Sequence, residues 1–491
     1  MNIENKITHA TKWSALSELF AKIVNPLTSM ILARLLTPEE FGIVATITMI
    51  VVFAEIFTDA GFQKFLIQHE FKDEMSLLQN INVAFWTNFI LSIIIWIGIW
   101  LFDDSIANLV GNPGLGVAIS IASFAIPLES LSSIQMALYK REFDFKTLFK
   151  IRIVGILVPL LVTIPLAFIF HNFWAIIAGT LLTNVLNAAI LTLYSRWKPK
   201  FFYSFDVLKG MLSFSMWSMI EAFSVWFTNY VDIFIIGVML SQYCVGLYKT
   251  SMTVVGQITA VVTSISTPIL FSALSRLQTD RILFENLFFK FLKIVGMLTV
   301  PLGVGIYCYR QLVTYILLGQ DWTDASLFIG FWGLTSSVTI VLAHYSSEVY
   351  RSLGKPILSV VAQWLHILAL VPIIYWGATQ TFETLCIYRA AVRLQLVIVQ
   401  MLIMYVFIKI SPKNMVLSIL PAIICSIPIF VISHVTEMLS SSTLISVISI
   451  IICILAYFTA MCAFHQERVI ILGFIHSAKD KFSITINLHK K

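Results

Sequence analysis

Charged residues are scarce in this chain of 491 residues: only 12% are Asp, Glu, Lys or Arg, whereas 58% are hydrophobic. A typical soluble domain carries roughly 25% charged residues. The polar segments that remain between the apolar ones are too short to form a separate soluble domain. We therefore expect a polytopic membrane protein with about fourteen membrane-spanning helices.

Sequence motifs for nucleotide and metal chemistry are also missing. The chain has no GxxxxGK[ST] segment, which excludes ATP hydrolysis by a P-loop, and no HExxH segment for zinc. The six cysteines form no CxxC pair, so we expect free, buried thiols. The sequence therefore predicts a protein that is not an enzyme and that holds no metal or organic cofactor.

Basic residues are sorted to one side of the membrane. Only Arg34, Lys249 and Arg310 fall in the gaps on one side, and Lys22, Arg389 and Arg393 fall within apolar segments. The rest of the 32 Lys and Arg lie in the alternate gaps, among them Lys64, Lys140, Arg152, Lys198, Arg276, Arg351 and Lys409. Such residues stay cytoplasmic, so both termini are predicted inside. The net charge of +6 then faces anionic membrane lipids, not nucleic acid.

An internal repeat is visible at an offset of 204 residues. Residues 31–47 align without gaps on 235–251, which places Leu36 over Leu240 and Gly42 over Gly246. An even number of helices separates the copies, so the two halves run the same way through the membrane. The repeat predicts an N-lobe over 1–205, a C-lobe over 206–411, and two further helices with a cytoplasmic tail over 412–491. A cavity is expected between the two lobes.

Six segments in order resemble one family of membrane transporters. They are ARLLTPEEFG at 33–42, FTDAGFQKFLIQ at 57–68, SRWKPKFFYSF at 195–205, LFSALSRLQTD at 270–280, LLGQDWTDA at 317–325 and YRSLGKP at 350–356. Together they resemble the Wzx-type polysaccharide transporters of the multidrug/oligosaccharidyl-lipid/polysaccharide flippase superfamily. The resemblance implies flipping of an undecaprenyl-pyrophosphate-linked oligosaccharide across the bacterial inner membrane. It also implies polysaccharide polymerase and chain-length machinery as partners.

Arg389 and Arg393 are the first candidate substrate contacts. They are spaced i, i+4 in the predicted helix over 384–408, and Gln400 shares their face. At 1.5 Å per residue Arg393 lies about 14 Å from the helix end, close to the middle of the membrane. A charge there must face a cavity or a partner. A guanidinium matches phosphate oxygens with two donors, so contact with the substrate pyrophosphate and pairing with a buried acid are both open.

Polar stripes on the first and seventh predicted helices provide further candidates. Lys22 is a third candidate cation for the substrate, and Glu18, one turn before it, is a candidate for ion coupling or gating. An intrahelical ion pair between the two is the alternative. Glu221 and Asp232 have no cation close in sequence. These two acids either pair with the arginine helix or exchange a proton or sodium ion that drives transport.

Asp59 is a gating candidate in the FTDAG segment. Pairing with Lys64 or helix capping is the alternative role. Two other functions remain open for the whole chain. A multidrug or cation antiporter of the same superfamily would favour acidic sites over Arg389 and Arg393. A membrane glycan polymerase or ligase would need a larger outer loop than this chain has.

Overall fold

The computed structural model describes residues 3–59, 61–195, 197–439, 442–470 and 472–473. Within these ranges fourteen helices are long and apolar enough to cross a membrane, and no strand occurs there. The all-α prediction is therefore confirmed, while the predicted tail after 473 lies outside the described residues. We number the spans α1–α14: Leu16–Leu35, Pro38–Asp59, Glu74–Leu101, Gly116–Arg141, Phe145–Phe170, Trp174–Tyr194, Ser218–Met239, Gln242–Arg276, Arg281–Cys308, Gln320–Ser352, Ile357–Ala378, Phe382–Ile408, Pro412–Leu439 and Thr443–Met461.

Short helices continue the chain after three of these spans. They are Phe62–Gln68 after α2, Asp103–Leu109 after α3 and Arg310–Leu317 after α9. α7 is itself the end of a longer helix that begins at Phe205. Side-chain caps set several helix starts, because a capping oxygen satisfies an amide that has no intrahelical partner. The Thr381 hydroxyl, for example, accepts a hydrogen bond from the Thr384 amide at the start of α12.

Three spans contain one π-helical turn each: Pro159–Thr163 in α5, Ile340–His344 in α10 and Met404–Ile408 in α12. An extra residue in a turn re-aims the side chains that follow it, and such turns are frequent at functional sites. In α10 the turn is tied to α8, since the His344 ring lies 3.0 Å from the Thr267 hydroxyl. α10 and α12, which both carry this feature, also carry the candidate site described below.

Packing divides the chain into two compact units. The first comprises Met1–Thr250 with Leu318–Trp322, and the second comprises Ser251–Leu317 with Thr323–Lys491. α7 belongs to the first unit, where the Trp226 indole donates a hydrogen bond of 3.0 Å to the Met49 carbonyl of α2. The lobes predicted from the repeat, with a boundary at residue 205, stay a prediction.

Within the first unit, the two copies of the repeated turn pack directly on each other. A methyl group on Gly42 would lie 1.8 Å from the Gln242 carbonyl oxygen, and one on Gly246 would lie 1.7 Å from the Pro38 carbonyl oxygen. Pro38 and Gln242 are related by the same offset of 204 residues as the glycines. The contact is therefore reciprocal, as at a two-fold axis, and only glycine fits at either position. A buried hydrogen bond of 2.9 Å from Thr46 to the Gln242 side chain strengthens it.

Two further contacts lie beside the first. Gly111, which has φ of 76°, packs on the end of α7, where a methyl group would lie 2.4 Å from the Gly237 carbonyl oxygen. The Trp322 indole packs on the end of α1 and donates a hydrogen bond of 2.7 Å to the Ala33 carbonyl. Ala33 and Gly237 are again 204 residues apart. We call this end of the first unit, where 36–42 and 240–246 meet, the turn end.

Candidate functional site

Two arginines of α12 and one tryptophan of α10 form the arginine site, in the second unit. The Arg389 guanidinium lies 4.7 Å and the Arg393 guanidinium 4.0 Å from the centre of the Trp332 ring. Arg393 also donates a hydrogen bond of 2.5 Å to the Ser336 hydroxyl. Trp332 and Ser336 are one helical turn apart, as are the two arginines, so two adjacent turns of one helix face two of the other.

Burial makes the electrostatics of this site strong. Arg389 is 5% exposed and Trp332 is 6% exposed, and Arg393 is half-buried. The electron-rich face of an indole attracts a guanidinium, and the attraction is larger away from water. The ring contacts therefore hold both charges against α10. Such an arrangement concentrates positive charge at a point where an anion is the natural complement.

Gln400 also faces α10, as its predicted face requires. Its amide lies 3.4 Å from the Ser347 hydroxyl, and its backbone carbonyl accepts a hydrogen bond of 3.1 Å from Tyr350. Gln400 thus lies three turns beyond Arg389 on the face of α12 that contacts α10, and the buried Val397 lies between it and the arginine site. Trp332 is a residue that the sequence reasoning missed. The sequence feature that could have identified Trp332 is its position well inside a span, since tryptophans in membrane proteins favour the helix ends.

Two of the candidate acids form ion pairs that the sequence did not suggest. Glu18 binds Arg152 of α5 at 2.5 Å, and Lys22 also acts on its charge. Lys64 binds Glu221 of α7 at 2.8 Å, and it also acts on the charge of Asp59. Both ion pairs join helices whose charged residues are more than a hundred residues apart in sequence.

Asp232 is the most buried of the predicted acids, with 1% exposure. Its carboxylate accepts hydrogen bonds from the Tyr248 hydroxyl at 2.5 Å and from its neighbour's amide. Lys249, next to Tyr248, lies within two turns of the start of α8, with its ammonium 4.8 Å from the Tyr230 ring. Asp232 thus has a cation in its surroundings that the sequence did not suggest, because Lys249 had been assigned to a gap.

Asp59 lies beside two further acids of the first unit. Glu55 in α2 and Glu129 in α4 are neighbours, and the charges of Glu129 and Asp59 both act on Glu55. Glu55 and Glu129 line a cavity of about 250 Å³ together with Thr180 and Asn184. Two carboxyl groups on one cavity can share a proton between them. Glu129 was missed because its partner is on another helix. No cluster of three or more metal-ligating side chains occurs among the residues that the structure describes.

Comparison with known proteins assigns the chain to a family. A profile of the polysaccharide biosynthesis protein family matches residues 31–327, which is more than half of the sequence. The chain belongs to the polysaccharide biosynthesis protein family. The resemblance seen in the six sequence segments is thereby confirmed.

Curated relatives of this polysaccharide biosynthesis protein are distant but extensive. An uncharacterized membrane protein in the cps region of Klebsiella pneumoniae is 24% identical over 77% of each chain. The succinoglycan biosynthesis transport protein ExoT of Rhizobium meliloti is 24% identical over 68% of this chain and 66% of its own length. Among solved structures, the lipid II flippase MurJ in an inward closed conformation aligns with a TM-score of 0.76 at 15% identity, over 93% of this chain and 99% of that one. The family member therefore has the fold of that flippase.

Proposed function

We propose that this protein flips an undecaprenyl-pyrophosphate-linked oligosaccharide across the bacterial inner membrane by alternating access. The observation that carries the proposal is the arginine site, in which two guanidinium groups lie against one indole in the middle of membrane-spanning helices. A pyrophosphate crossing the membrane needs such cations because its charge would otherwise stand in hydrocarbon. The family membership and the ExoT and MurJ names support a lipid-linked saccharide as the substrate.

The arginine site favours this function over export of cationic drugs. Arginine stays protonated at every physiological pH, so the site repels a cation in every state of the cycle. The fixed fork of each guanidinium instead matches the paired oxygens of a pyrophosphate. Lys22 of α1 is a further candidate contact for the anionic headgroup. The product is the unchanged substrate on the other leaflet, for use by a polysaccharide polymerase, so the task is transport and not catalysis.

A direct transport assay tests the proposal. Purified protein in liposomes should carry a lipid-linked oligosaccharide with a fluorescent sugar from the inner to the outer leaflet, where a membrane-impermeant quencher reaches it. Protein-free liposomes should show no flipping on the same timescale. Ethidium uptake under the same gradient measures the drug-antiporter alternative. Ethidium transport without oligosaccharide flipping would contradict the proposed function.

Orientation follows from the sorting of basic residues and is part of the proposal. With both termini in the cytoplasm, the turn end faces outward, so the reciprocal Gly42–Gly246 contact closes the outer side of the first unit. Reporter fusions after Lys140, Lys198 and Arg351 should be active only as cytoplasmic reporters. Fusions after Asn112 and Gln320 should be active only outside. A cytoplasmic signal at Gln320 would contradict the proposed orientation and the count of fourteen spans.

Coupling to a proton gradient is proposed at the Glu55–Glu129 pair. The two carboxyl groups line one cavity of about 250 Å³, and a proton held between them can leave when that cavity becomes hydrated. Glu129→Gln should preserve the shape of the side chain but remove one of the two carboxyl groups, so flipping should persist and lose its dependence on a pH gradient. Glu221→Gln, which removes the Lys64 ion pair, is the matched comparison and should leave that dependence intact. If flipping loses its dependence on the pH gradient in Glu221→Gln or in Asp232→Asn but keeps it in Glu129→Gln, coupling is assigned to α7 instead.

A further inference from the structure

A polar cavity lies where α9, α13 and α14 meet at their ends in the second unit. It measures about 370 Å³ and is lined by side chains of all three helices and of the short helix after α9. The polar residues of its lining include Arg310, Gln311, Glu437, Thr443 and Ser446. The Tyr315 ring forms part of the wall and is 47% exposed. Neither the arginine site nor the acid pair includes any of these residues.

The fold itself does not require a polar cavity at this place. α3 and α9 both end at an aromatic residue, Phe102 or Tyr309, and a short helix follows each. The first unit has a cavity of about 540 Å³ beside the end of α3. Its lining is dominated by large apolar side chains, among them Trp96 and Trp100. The cavity beside α9 therefore differs in its lining, because α13 and α14 supply polar side chains there.

The chemistry of the polar groups selects the class of ligand. One guanidinium and one carboxylate cancel in charge, so the cavity has no net attraction for a phosphate or for a cation. Each of these planar groups can instead bind two neighbouring hydroxyl groups of one ligand. The guanidinium donates two hydrogen bonds, and the carboxylate accepts two. The exposed Tyr315 ring offers an apolar face beside them, and the volume lies in the range of ligand pockets. A ligand with many hydroxyl groups and an apolar face is a sugar.

We propose that this cavity binds sugar residues of the lipid-linked oligosaccharide on the outer side of the membrane. The inference rests on the proposed function and on the proposed orientation, in which the ends of α9 and α13 face outward. It gives α13 and α14, which lie outside the internal repeat, a role in holding the glycan as it arrives. Glu437 of α13 is exposed. Its substitution should therefore test the site with little effect on folding.

The test measures binding of the free glycan. The probe is the repeat-unit oligosaccharide released by mild acid from the lipid-linked pool of the host membranes, and saturation-transfer NMR reports its contact with the detergent-solubilised full chain. Glu437→Gln and Gln311→Ala should each weaken binding at least fivefold. Glu383→Gln, an exposed glutamate at the start of α12 and away from the cavity, is the matched control and should bind like the wild type.

The outcomes separate this inference from the proposed function. Equal binding by the wild type and Glu437→Gln, with normal flipping in liposomes, would overturn the sugar site and leave the flippase standing. Glu437-dependent binding without any flipping would support the sugar site and overturn the proposed function. Displacement of the oligosaccharide by phosphatidylglycerol added to the micelles would identify the cavity as a lipid headgroup site and overturn the inference.

Discussion

Gly246→Ala should open the turn end and strongly impair glycan export. The added methyl group would lie 1.7 Å from the Pro38 carbonyl oxygen, a distance at which α2 and α8 must separate. Overpacking of this kind costs about 1–3 kcal/mol, and 1.4 kcal/mol corresponds to about a tenfold change in an equilibrium. In a variant that keeps Cys244 as its only cysteine, labelling by a membrane-impermeant maleimide should therefore become about tenfold faster.

Gly256→Ala is the matched control for that experiment. It makes the same substitution in α8, where a methyl group meets nothing within 4 Å. Both variants share the gain in helix propensity, roughly 1 kcal/mol, so the difference between them reports the contact alone. Gly42→Ala should behave like Gly246→Ala because the contact is reciprocal. Similar labelling and export in Gly246→Ala and Gly256→Ala would show that the Gly42–Gly246 contact does not hold the turn end closed.

Arg393→Lys should reduce flipping about tenfold while membrane abundance stays normal. Lysine keeps the charge near the Trp332 ring but loses the two-donor fork that matches a pyrophosphate. Arg393→Ala should be worse, because the cation itself is gone. The measurements are membrane abundance and the rate of oligosaccharide flipping in liposomes. Arg281→Lys changes an exposed arginine that pairs with Glu285 in α9 and should leave both measurements unchanged.

The competing role of Arg393 is structural pairing with a buried acid such as Asp232. Removing one partner of a buried pair costs about 3–5 kcal/mol because the other charge is left uncompensated. In that case Arg393→Ala should lower abundance, and the double variant with Asp232→Asn should restore both abundance and flipping. Such a rescue would refute the substrate role. Normal abundance with lost flipping that the second change does not repair would support it.

The sequence alone determined the helices and the arginine face. Hydrophobic runs of about 20 residues have few stable alternatives in a membrane, because every backbone group must be satisfied within its own segment. The i, i+4 spacing likewise places Arg389 and Arg393 on one face of any regular helix. The offset of 204 residues identified Gly42 and Gly246 as equivalent, since a repeated turn needs the same small residue in both copies.

Only the tertiary structure decided which residues meet. Glu18 with Arg152, Lys64 with Glu221, and Glu55 with Glu129 join different helices, and helix periodicity does not report the rotation of one helix against another. The same reason hid Trp332, whose role depends on α10 facing α12. That Gly42 and Gly246 contact each other, and do not merely correspond, follows from the close approach of two backbones. Local sequence specifies each helix, whereas packing between helices specifies the site.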